Sequence, residues 1–169
     1  MEQKNTSILV NALIWGTIIG LISVVYSVVL YMFDQTFNQA LGYLGIIILL
    51  AGLILGIRNY RDNVLDGILP FGKAFGFSML IVVISALIGS IYGYLLYTVI
   101  DPDLMEKMLD LQTDRMLEQG LTEDQVEQAL QFSRRLMNPI FLMISGFVVN
   151  ILMGVVISLI IAAIFKKEE

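Results

Sequence analysis

The chain has 169 residues, 57% of them hydrophobic, and its mean hydropathy is +0.82. A soluble domain averages about 45–50% apolar residues and has too little interior to hide this surplus, so a water-soluble globular fold is excluded. Cysteine and histidine are absent and the net charge is −5, which removes disulfides, thiolate chemistry, the commonest metal ligand and the usual proton relay near neutral pH.

Charged residues leave four long uncharged gaps, at 5–33, 35–57, 74–100 and 136–165. Each reaches or exceeds the roughly 20 residues that cross a hydrocarbon core of about 30 Å. Lipid offers no partner to a bare amide, so a spanning segment is a helix or a barrel strand. These runs do not alternate apolar with polar, as barrel strands do. The expectation is an all-α membrane protein, a single membrane domain over 1–169. Its four transmembrane helices are expected at about 7–33, 40–57, 74–100 and 140–165. The first run is too long for the apolar part of a cleavable leader and no small-residue cleavage site follows it, so it is expected to remain as an anchor. Asn5-Thr6-Ser7 matches a glycosylation sequon but falls on the expected inner side, where it reads as accidental.

Cations set the orientation. Lys4, Arg58, Arg61, Lys73, Lys166 and Lys167 lie at one set of helix ends, and the turn 34–39 has no lysine or arginine. Positive-inside bias then puts both termini in the cytoplasm. Against this, Lys107, Arg115, Arg134 and Arg135 lie in the outer segment, accompanied there by nine carboxylates. Tyr31, Tyr43 and Tyr97 fall near the outer interface, where amphipathic aromatics collect.

Helices one and three align at an offset of 66 through Leu21/Leu87, Ile22/Ile88, Tyr26/Tyr92, Leu30/Leu96 and Tyr31/Tyr97, with Ser23 and Ser27 opposite Gly89 and Gly93. This pattern is either a two-plus-two parallel repeat or the chance agreement of two Leu/Ile-rich helices. Small residues also recur at four-residue spacing: Ala12, Gly16 and Gly20; Gly52 and Gly56; Ser85, Gly89 and Gly93; Gly146, Asn150, Gly154 and Ser158. Helices in lipid associate through close backbone approach and interhelical hydrogen bonds. The stripes therefore serve packing within the bundle, or one of them is a homodimer face. Asn11 and Asn150 are the most polar residues of the spans; each bonds a neighbouring helix or lines a narrow cleft.

Between helices three and four, 101–139 reads as an outer amphipathic helical insertion. Asp101-Pro102 ends helix three. A helix over 104–118 stops at Gly120, and Thr122 with Gln125 forms a capping box for the next. Val126, Ala129, Leu130, Ser133, Leu136 and Met137 make one side of that second helix, and Glu123, Glu127, Gln131, Arg134 and Arg135 the other. Asn138-Pro139 opens helix four. On the first outer helix Glu106, Asp110, Asp114 and Glu118 repeat every four residues. Like charges at this spacing cost a few tenths of a kcal/mol per pair. The strip is thus a docking surface for a basic partner, a weak divalent-cation site, or a solvated face; metal sites more often draw oxygens from several elements.

Gly67-Ile68-Leu69-Pro70-Phe71-Gly72-Lys73 matches the first seven positions of a phosphate-binding loop. Ala74 supplies no hydroxyl and no strand precedes it, so a Gly-Pro loop is the better account. No Asp, Glu, Lys or Arg lies deep in a span, which argues against proton- or cation-coupled transport. Tyr60, Arg61 and Asp62 with Lys73 form an inner polar cluster suited to an interfacial anchor.

Trp15-Gly16, Tyr60-Arg61-Asp62 with Gly67, Phe71-Gly72-Lys73-Ala74-Phe75, Ile100-Asp101-Pro102, Gln119-Gly120-Leu121-Thr122-Glu123 and Met137-Asn138-Pro139 occur in an order and spacing that cover nearly the whole chain. In these the sequence resembles the bacterial membrane family known as domain of unknown function 4199. The resemblance implies a small bacterial inner-membrane protein and carries over no catalytic residue. The expected function is a non-enzymatic interaction or accessory protein that works with the lipid bilayer and with a membrane partner or a second copy. The alternative is a small transporter, channel or lipid-handling protein using a cleft near Asn11 and Asn150. No cofactor, metal or nucleic acid is expected.

Overall fold

The computed structural model describes residues 8–136 and 138–167, and only the backbone of Arg135 and Leu136. Lys4, the Asn5 sequon and Met137 lie outside the described residues. Among these the order is α1 (Ile8–Met32), α2 (Gln39–Val64), α3 (Phe71–Leu95) continued by a π-helical turn (Leu96–Ile100), α4 (Leu104–Glu118), α5 (Glu123–Leu136) and α6 (Pro139–Phe165). The protein is all-α, and α1, α2, α3 with its π turn, and α6 are each long and apolar enough to cross a membrane. The bulky apolar side chains face outward: Val25 is 63% exposed, Leu152 62% and Ile164 67%. An apolar exterior of this extent belongs against hydrocarbon. Two compact units divide the chain, Met1–Gly89 with Phe147–Glu169, and Ser90–Gly146.

In the first unit small residues set the helix registers. A Cβ added at Gly16 would stand 2.7 Å from the Ile84 side chain, and one at Gly20 would stand 2.9 Å from Ile88. Both numbers rise together, so α1 and α3 run side by side in the same direction. Gly52 lies on Ile19 and Gly56 on Trp15, where one number rises as the other falls; α1 and α2 are antiparallel. Gly56 also meets Ile81 and Tyr60 stacks on Phe77 with centroids 4.2 Å apart, which makes α2 and α3 antiparallel too. Gly154 of α6 is pressed against Val82 of α3. The buried core, including Ala12, Ile19, Leu53, Ile57, Phe77, Ile81 and Ile161, fills the space these approaches leave. Interhelical approach through glycine is what association in lipid requires, because the surrounding tails are as apolar as the helices themselves.

Two boundaries differ from expectation. Helix α2 continues past Ile57 to Val64, taking Arg58, Arg61 and Asp62 into its last turns. A charge ends a lipid span without ending a helix, since long side chains carry their heads to the interface. The chain turns only after Leu65, where Asp66 and Gly67 adopt left-handed backbone with φ of 51° and 88°. Helix α3 starts at Phe71, directly after Pro70, rather than at 74.

In the second unit the sequence signals resolve into geometry. Gly120 has φ of 85°; its N–H donates to the Leu117 carbonyl (2.9 Å) and that of Leu121 to Met116 (3.1 Å). This is the paired C-terminal closure that a glycine at this position permits. The Thr122 N–H donates to Gln125 Oε1 (3.0 Å) and the Gln125 N–H to Thr122 Oγ1 (3.4 Å), completing the capping box. Asn138 Oδ1 accepts from the Ile140 N–H at 2.9 Å, and Pro139 takes the first helical position of α6, where a missing N–H costs nothing.

Candidate functional site

Two grooves lie among the described residues of the second unit. One, of about 490 Å³, is lined by Thr113 and Leu117 of α4 and by Glu123, Val126, Glu127, Leu130, Gln131 and Arg134 of α5. Its floor is apolar and its rim is charged. The other, of about 390 Å³, holds Pro102, Met105 and Leu109 with Asp103, Glu106, Asp110 and Arg134. Arg134 lines both. The four-residue acidic strip is divided accordingly: Glu106 and Asp110 line the second groove, while Asp114 and Glu118 are exposed and line neither. The cause is helical phase. Four residues advance a helix by about 400°, so each step drifts about 40° and Glu118 lies about 120° around α4 from Glu106. Val126 is buried at 4% exposure, and Glu123, Glu127, Gln131 and Arg134 are exposed. Glu123, Glu127 and Arg134 as rim residues escaped the sequence reading of the strip. The alternation of Glu123 and Glu127 with Val126 and Leu130 was their available signal.

In the first unit a cleft of about 270 Å³ lies between α1, α2, α3 and α6, lined by Ile19, Ser23, Gly42, Gly45, Ile46, Leu49, Val82, Ser85, Ala86, Gly89 and Asn150. It exists because glycines leave it empty: a Cβ on Gly42, Gly45 or Gly89 would meet nothing within 4 Å. The Ser85 hydroxyl donates to the Val82 carbonyl at 3.0 Å. Asn150 is exposed along this cleft, whereas Asn11 is buried at 8% exposure and is not among its lining residues. Of the candidate packing residues, Gly16, Gly20 and Gly154 are close-contact positions, while Gly89 and Gly93 stand open. Ser23 and Gly89 were singled out in the sequence only as small residues at aligned positions of helices one and three; Gly42 and Gly45 had no signal that separated them from packing glycines.

Among the described residues no group of three acidic side chains is placed to hold a metal ion. No curated protein matches the chain, and no solved structure does. A family model matches residues 14–167, under the description "Protein of unknown function (DUF4199)".

Proposed function

Because the chain belongs to the DUF4199 family, described only as of unknown function, its sites must speak for it, and we propose that it is a non-enzymatic interaction protein of the bacterial inner membrane. In this reading both termini are cytoplasmic, and α4 with α5 forms an outer hairpin that docks a basic helical segment of a membrane partner. The supporting observation is the larger groove, whose apolar lining of Leu117, Val126 and Leu130 is flanked by Glu123 and Glu127 against the one cation Arg134. Its volume falls in the range of about 300–1,000 Å³ typical of occupied sites. An amphipathic helix lays its apolar face into such a groove and pairs its basic flank with the rim. The carboxylate excess of 101–139 suits such a partner and steers its approach.

The test is site-specific photo-crosslinking from Leu130 of the full chain in native membranes. A discrete adduct with another polypeptide is expected. It should fall at least severalfold in the E123Q/E127Q variant and weaken with salt, because exposed charge pairs are screened within about 8 Å at physiological ionic strength. An adduct indifferent to both changes overturns the reading.

A second reading, a small lipid-handling or transport protein, is favoured by the cleft beside Asn150. At about 270 Å³ it suits a stretch of acyl chain better than a drug-sized solute, since ligand pockets start at about 300 Å³. Filling it with Gly89→Leu is expected to leave the fold intact and to abolish lipid exchange in proteoliposomes if the cleft is a passage. Exchange at the unaltered rate would remove this reading.

A further inference from the structure

The end of the first unit where α2 and α6 finish carries a cluster that the groove and the cleft do not use. The Arg58 guanidinium lies over the Phe165 ring, 5.2 Å from its centroid. Two residues beyond Phe165, the backbone of Lys167 pairs with Leu69 in both directions: the Leu69 N–H donates to the Lys167 carbonyl and the Lys167 N–H to the Leu69 carbonyl, each at 2.9 Å. Leu69 itself is fully buried, so the bridge is anchored in the core and fixes where Lys167 stands. Asp62 pairs with its neighbour Arg61 through two contacts, Nε to Oδ1 at 2.7 Å and Nη2 to Oδ2 at 3.2 Å, and Arg58 and Lys167 also lie within electrostatic reach of its carboxylate. Arg61 is ion-paired with Asp62 while Arg58 and Lys167 act on it from farther away, so the three cations outnumber the carboxylate they face.

We propose that Arg58, Arg61 and Lys167 bind the phosphate of an anionic phospholipid headgroup at this end of the protein. Two features select a lipid over free phosphate. The cations follow the apolar stretches of two helices long and apolar enough to cross a membrane, which is where headgroups meet a span. The surface beside them continues as hydrocarbon: Leu55, one turn before Arg58, is 56% exposed, and Ile160 and Ile164, before Phe165, are 54% and 67% exposed. Acyl chains can lie along that surface while the phosphate reaches the cations. Arginine suits the task, as its planar fork engages two phosphate oxygens at once. Stacking on Phe165 holds Arg58 ready without neutralising it. Basic pockets between helix ends are where such headgroups are recognised.

The experiment is native mass spectrometry of the full chain in mild detergent, titrated separately with phosphatidylglycerol and phosphatidylcholine. Phosphatidylglycerol is expected to bind at least tenfold more tightly. R58Q/K167Q should remove most of that preference, because each cation near a lipid surface is worth about fivefold. D62N should strengthen phosphatidylglycerol binding about as much by freeing Arg61, and since Asp62 is exposed this variant keeps the core intact. Equal binding of the two lipids, or an R58Q/K167Q variant that binds phosphatidylglycerol as the wild type does, overturns the proposal. So does displacement of phosphatidylglycerol by inorganic phosphate, which would assign the cluster to a soluble anion.

Discussion

Gly154→Leu is expected to cost about 3 kcal/mol of stability, the upper part of the range for forcing extra atoms into a filled site, read as a fall in the unfolding midpoint in mild detergent. Even the first atom of a side chain at Gly154 collides with Val82, whose Cβ and both methyls lie in its way. Val82 cannot swing aside, because a β-branched residue in a helix has one strongly preferred χ1. It is also buried at 1% exposure. Relief must come from separating α3 and α6, which loosens Ser78 and Ser158, each fully buried and about one turn from the contact on its own helix. Among the described residues their hydroxyls find no hydrogen-bond partner, so close packing carries this part of the seam. Gly89→Ala is the control. Its Cβ meets nothing within 4 Å, and alanine favours the helix over glycine by up to about 1 kcal/mol, so a neutral or slightly raised midpoint is expected. A Gly154→Leu midpoint equal to the control's would refute the packing argument.

Glycine also marks the limit of what this sequence discloses. The spans were legible, because charge is excluded from hydrocarbon and the gaps between charges measure it directly. The caps at Thr122, Gln125, Gly120 and Asn138 were legible because each depends on residues a few positions apart. The roles of individual glycines were not. Gly45 and Gly52 lie two turns apart on one helix, yet Gly52 carries Ile19 against its backbone and Gly45 opens a cleft. What separates them is the neighbouring helix: at the cleft, Ser23, Ser85 and Gly89 from α1 and α3 are small as well. No single helix pattern contains that fact. The acidic strip divides between groove and solvent for a different reason, since four-residue spacing is only approximately one turn and the drift accumulates along α4. The extension of α2 to Val64 was hidden because Arg58, Arg61 and Asp62 were taken as the end of a helix when they are only the end of its apolar part. Two of these residues, Arg58 and Arg61, then belong to the basic cluster, whose third cation, Lys167, is brought in by a backbone bridge that side-chain patterns cannot announce.

The basic end and the packed seam meet at Phe77, and Phe77→Ala is expected to cost about 3 kcal/mol. That figure is the low end for truncating a buried phenylalanine, because helices in lipid gain little from hydrophobic transfer and the loss is mainly of packing. Phe77 is fully buried and stacks on Tyr60, with planes 15° apart. Tyr60 is only 4% exposed, and its backbone carbonyl accepts the Leu65 N–H at 3.2 Å as the chain leaves α2. Removing the ring therefore leaves a cavity under the turn that delivers Leu69 to Lys167. Beyond the lower midpoint in detergent, the variant should lose protection from hydrogen exchange at the Leu69 and Lys167 amides before it loses protection along α1, since local opening follows the least-supported contacts. If the Leu69 and Lys167 amides exchange at the wild-type rate in Phe77→Ala, the aromatic stack does not support the bridge, and Lys167 is held in place by something other than the core.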